Sequence, residues 1–116
     1  MNTRSLSEIE RTKVEMDGAK GAWKQLAISG ADGSPGFSMR VFTVEPGGHT
    51  PFHQHDCEHL NYIIEGRGEL LEADGGTHPL RRGDFALVLP GEKHQYRNTA
   101  EDQDLVMICA VPKAYE

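Results

Sequence analysis

The chain is short of nearly everything that would mark a disulfide-stapled, membrane-spanning or nucleic-acid-binding protein. It carries two cysteines, Cys57 and Cys109, in 116 residues. That supply is too small and too widely spaced for a disulfide framework or a CxxC metal pair. Lysine and arginine total 12 against 18 aspartates and glutamates, a formal net charge of −6. Nucleic acid asks for the opposite balance, because phosphates are met by cations. No apolar run approaches the length of a membrane span. The opening MNTRSLSEIERTKVEM has no apolar stretch of the kind a secretory signal needs. A cytoplasmic protein with reduced thiols, and with neither a nucleic-acid nor a membrane partner, is expected. Helix signals are scarce as well. Only Ser5–Thr12 suggests one, with Ser7 and Glu10 spaced as a capping box, and residues 1–13 read as an N-terminal arm.

What the chain does have is turn formers. Thirteen glycines and six prolines divide it into short segments. Ser34–Gly36, Pro46–Gly48, Asp74–Gly76, Arg82–Asp84 and Pro90–Glu92 read as turns. Between them lie strand-like runs at Trp23–Ile28, Ser38–Val44, Leu60–Glu65, Glu69–Glu72, Phe85–Leu89, Gln95–Asn98 and Leu105–Val111. Short strands at this spacing predict an all-β sandwich or barrel. The length suits one domain spanning residues 1–116.

Four of the six histidines carry the chemistry. His53, His55 and His59 share strand parity, since every second side chain of a strand points the same way. His94 lies in a distant strand-like run. Imidazole is the commonest protein ligand for divalent transition metals, so a mononuclear four-histidine site is expected. The same parity sends Glu58 to the other face and Cys57 away from the metal. His49 reads as a solvent-facing loop residue and His78 as a surface residue. Asn61 shares the ligand parity, Tyr96 shares that of His94, and Met107 and Cys109 are two apart on the last strand. Leu60, Tyr62 and Ile64 face the other way and call for a cover, for which a homodimer is the natural source.

Gly47-x5-His53-x-His55-x3-His59-x6-Gly66 resembles the first motif of the cupin superfamily, with histidine at a position where glutamate is more frequent. The stretch Gly83–Asn98, in which three residues separate His94 from Asn98, resembles the second. The motifs occupy residues 47–66 and 83–98. The stretch Phe37–Gly48 and the Pro112-Lys113 ending are similar to those of small single-domain manganese cupins with four histidine ligands from hyperthermophilic bacteria. The resemblance implies a double-stranded β-helix (jelly-roll) barrel holding one divalent metal per chain on His53, His55, His59 and His94. Four neutral imidazoles leave the ion its full +2 charge, and an octahedral ion would keep two adjacent positions open. Zinc would be satisfied tetrahedrally. Manganese or iron is therefore expected, the resemblance implying manganese first and iron next, with nickel, copper, cobalt and zinc behind them.

The expected activity is dioxygenase-like chemistry on a small oxygen-bearing molecule, with Arg40 orienting an anionic group and Tyr96 as the one obvious acid–base side chain. Phe42, Asn61, Met107 and Cys109 would shape the pocket. The alternatives are a non-oxidative metal-dependent isomerase or lyase acting on a carbohydrate or carboxylate, and a small-molecule binding module.

Overall fold

The alternating run around Ser38–Val44 grows into the spine of the molecule. In the computed structural model, which describes residues 1–116, strand β3 runs over Phe37–His49. It pairs with β2 (Lys20–Ile28) along one edge and with β9 (Leu105–Pro112) along the other. Its end meets β8 (His94–Asn98) through His49 opposite Arg97. The remaining strands are β1 (Thr12–Lys13), β4 (His59–Glu65), β5 (Arg67–Glu72), β6 (Thr77–Arg81) and β7 (Phe85–Val88). Every pairing is antiparallel, in the order β6-β5-β8-β3-β9-β4-β7, with β2 and then β1 added beside β3. This curled sheet is the all-β jelly-roll expected of the sequence. No helix is long and apolar enough to cross a membrane.

Side chains alternate as strand geometry demands. Val44, Ile63, Leu105 and Met107 are almost wholly buried inside, packed with Ala22, Leu70 and Tyr96. Two glycines explain how strands approach so closely. A Cβ on Gly66, whose φ is +83°, would stand 2.1 Å from the Asp104 carbonyl oxygen. One on Gly68 would stand 2.3 Å from that of Arg97. Neither distance is compatible with a side chain, so the β4–β5 turn passes Asp104, and β5 lies flush on β8, only with glycine at these two positions.

Several local expectations are corrected. Ser5–Thr12 forms only a 3-10 turn at Leu6–Glu8, without a side-chain cap, because Thr12 and Lys13 pair with Lys24 and Trp23 as β1. The capping box sits instead at Ser29 and Asp32. Pro46–Gly48 is not a turn but part of β3. The ladder to β2 slips register there, with Lys20 opposite His49 and Ala22 opposite Val44, and Gly47 takes a φ of +74° at the bulge. His49 is consequently a half-buried strand end touching Gln95, not a loop residue. His78 lies on β6, one arm of the β5–β6 hairpin, and is exposed as expected, 3.2 Å from Glu72.

The N-terminal arm lies on its own barrel. The Gln25 side chain donates to the Leu6 and Ile9 carbonyls at 2.9 and 3.0 Å, and Arg4 pairs with Asp32.

Candidate functional site

A cavity of about 280 Å³ opens inside the barrel. Its walls include His53, His55, His59, His94, Arg40, Phe42, Asn61, Tyr96, Met107 and Cys109, so every residue singled out from the sequence comes to one place. Strand parity accounts for most of this. Arg40 and Phe42 alternate with outward residues on β3, Asn61 follows His59 by two on β4, Tyr96 follows His94 by two on β8, and Met107 and Cys109 alternate on β9.

Parity is not the reason for His53 and His55, however. They lie on a loop, not on a strand continuous with His59. His53 is placed by an isolated bridge to His94, with paired main-chain bonds of 3.0 and 2.9 Å, and the His55 carbonyl accepts from Gly91 at 2.7 Å. The two motifs thus hold each other through main-chain bonds. Cys57 is buried and absent from the cavity wall, as is half-buried Glu58.

The four imidazoles form a closed ring. Centroids are 4.3 Å apart for His53–His55, 4.8 Å for His55–His59, 5.6 Å for His59–His94 and 5.3 Å for His94–His53, with His55–His94 at 6.4 Å across. His53 Nδ1 lies 2.9 Å from the Pro51 carbonyl oxygen, and His94 Nδ1 lies 2.9 Å from that of Glu92. A carbonyl can only accept, so these Nδ1 atoms carry the protons and each Nε2 keeps its lone pair. Burial, reinforced by the neighbouring rings, lowers the His53 pKa to about 4. Burial, then the Arg40 charge, lowers that of His59 to about 3. His55 and His94 are also pushed down, foremost by burial. The quartet is neutral near pH 7. As the rings stand, no three His, Cys, Asp or Glu side chains are arranged to hold a metal ion.

Beside the quartet, the Tyr96 hydroxyl donates to Asn61 Oδ1 at 2.8 Å. Burial raises the phenol pKa well above its ordinary value. Tyr96 therefore stays protonated, its one proton held on Asn61 Oδ1, and does not act as a phenolate base. Arg40 is 8 % exposed. Its Nη2 donates to Cys109 Sγ at 3.0 Å and its Cζ lies 4.9 Å from the Phe42 ring centroid.

Sequence reasoning missed part of the wall. Lys24, Thr50 and the stretch Thr12–Met16 also line the cavity. Thr50 locks β8 in place, its hydroxyl accepting from the Tyr96 N–H at 2.9 Å. Lys24 had a readable signal, since it alternates with Ala22 and Leu26 on β2. Nothing local says which face of β2 turns inward. Asn98, which ends the second motif, is structural. It donates to the Val44 and Gln103 carbonyls and accepts from the Ala100 N–H, pinning the β8–β9 loop.

Comparison with known proteins agrees with this geometry. The chain is 32 % identical over 111 residues to the L-ectoine synthase of Mycolicibacterium vanbaalenii, covering 94 % of this chain and 81 % of that one. The polyketide cyclase RemF from Streptomyces resistomycificus superposes with a TM-score of 0.91 at 28 % identity, over 97 % of this chain and 80 % of that one. A predicted oxalate decarboxylase from Thermotoga maritima gives 0.81 at 28 % identity, over 97 % and 98 %. The cupin domain family model matches residues 40–111, from Arg40 on β3 to Val111 near the end of β9, and with the jelly-roll sheet and the inward-facing quartet this makes the chain a member of the cupin family.

Proposed function

We propose that this cupin is a non-oxidative, metal-dependent enzyme that closes a ring in, or eliminates from, a small oxygen-bearing molecule. The observation that carries the reading is the cavity itself, in which four neutral imidazoles and a protonated phenol line one closed wall. The names of similar proteins, a synthase and a cyclase, favour the non-oxidative alternative over the dioxygenase expected first.

The donor set suits a divalent transition metal. Rings sharing one ion at about 2.1 Å have centroids roughly 4.5–6.5 Å apart, close to the spacings here, although the nitrogens must still turn to converge. The carbonyl contacts of His53 and His94 are the outer hydrogen bonds that fix a ligand's tautomer. His53, His55, His59 and His94 would hold the ion, with manganese favoured and iron next. When bound, it supplies Lewis-acid polarisation of a substrate oxygen. Tyr96, its one proton given to Asn61 Oδ1, presents its hydroxyl oxygen to the substrate as an acceptor. Phe42 and Met107 exclude water, and Arg40 orients an anionic group.

The test is anaerobic. Metal-loaded protein is incubated under nitrogen with a panel of small hydroxy- and keto-carboxylates and followed by mass spectrometry. A product one water lighter, or an isomer, is expected. Turnover that requires O₂ sinks the reading. A homodimer is part of the same proposal. Leu60 on β4 and Phe85 and Leu87 on β7 are 50 %, 80 % and 57 % exposed, and β7 is a sheet edge. Light scattering at micromolar concentration should give twice the chain mass, and a clean monomer removes the dimer.

A further inference from the structure

Arg40 is a buried cation without a counter-ion. None of the chain's ion pairs includes it. Its only hydrogen-bond partner is the Cys109 thiol, and its Nε is buried with no partner at all. Burying a guanidinium in this condition is costly, and such a group is normally kept where an anion completes it. A second cation stands beside it. Lys24 lies opposite Phe42 on the neighbouring strand, and Leu26 opposite Arg40, so Lys24 is the diagonal neighbour of Arg40 on the inner face. Both line the cavity. Burial, then the Arg40 charge, pushes the Lys24 pKa down, and the Glu116 charge offsets part of this. One ammonium proton goes to the Glu116 main-chain oxygen at 2.6 Å, which leaves two donors. The only acid on the cavity wall is Glu15, exposed at the rim. Glu116 meets Lys24 from one side, but no ion pair meets Arg40, and one bound carboxylate between the two cations would complete it.

We infer that Lys24 and Arg40 form a carboxylate seat at the β2–β3 end of the cavity, and that the substrate is a small carboxylate whose other end reaches the histidines. This rests on the reading that the cavity takes the substrate. Cys109 and Phe42 hold the guanidinium plane, and Lys24 supplies a point charge beside it. The cavity's roughly 280 Å³ equals the space of about nine waters. That admits a molecule of metabolite size.

The experiment is calorimetric titration of the full chain with succinate and with its uncharged diamide, succinamide. Lys24→Met and Lys24→Arg are carried in parallel, and circular dichroism verifies their folding. Succinate should bind, with succinamide at least about tenfold weaker. Lys24→Met should weaken succinate by at least about tenfold, and Lys24→Arg should recover most of the loss. The seat is overturned by no measurable succinate binding, by equal affinity for the two probes, or by a folded Lys24→Met variant within about twofold of the parent. Succinate binding that vanishes in His59→Gln yet ignores Lys24→Met overturns it too, because the anion then sits on the histidines. Lys24-dependent binding without ring-closing turnover defeats the proposed activity and leaves the seat standing.

Discussion

The two ends of the cavity are built on different principles. At the histidine end, side chains are tied to backbone. Pro51 and Glu92 carbonyls orient His53 and His94, and the bridge between these residues locks loop to strand. At the β2–β3 end, Arg40 rests on a thiol and a ring, and Lys24 leans on Glu116. At the first end two of the four rings have satisfied outer contacts and free Nε2 lone pairs. The second has unspent donors. The proposed roles follow this contrast, a cation at the first end and an anion at the second, and a small carboxylate with a polarisable oxygen would span both.

The largest effect expected of this contrast is in metal affinity. His59→Gln should weaken a divalent ion by about a hundredfold or more, while Lys24→Met should shift it by less than about threefold. Calorimetry on both variants checks this, and equal losses would erase the distinction between the ends. Next is the frame that carries His94. Gly68→Ala forces a methyl against the Arg97 carbonyl in the β5–β8 ladder and should cost about 2–4 kcal/mol in urea unfolding. A loss under about 1 kcal/mol would mean that β8 is free to shift. Tyr96→Phe removes the hydroxyl and leaves buried Asn61 Oδ1 without that donor, at about 1–3 kcal/mol. The His59→Gln cost in the metal-free protein should be smaller.

The pH effect is gentler and has a definite sign. In the folded, metal-free protein, the His53 and His59 pKa values lie at about 4 and about 3, below the ordinary 6.5. Between those limits the unfolded chain binds protons that the folded chain refuses, so stability rises with pH. The contribution is whole above pH 6.5 and drains away as pH falls toward 4. Thermal melts from pH 7 to pH 4 should show it, and His59→Gln should flatten the slope.

The histidine end was legible in the sequence because its spacing is local. His53, His55 and His59 lie within one short run, and the glycines around both motifs mark where strands must turn or touch. The argument from a continuous strand was nonetheless wrong in detail, since His53 and His55 are placed by a loop and a bridge. The β2–β3 end was half legible. Arg40 and Phe42 follow from the alternation of β3. Lys24 does not, because inward and outward faces of β2 are decided by pairing with β3 across a register slip at Gly47. Thr12–Met16 carried no signal, as a two-residue strand has no periodicity to read. The prolines and glycines at 46–48 misled for a physical reason, since the residues that make a turn also make a bulge.

Anomalous diffraction at the manganese edge, on crystals of the manganese-loaded chain, tests the central claim most directly. One peak per chain, shared by His53, His55, His59 and His94, is the predicted result. No peak, or a peak that fewer than three of these rings touch, would contradict it.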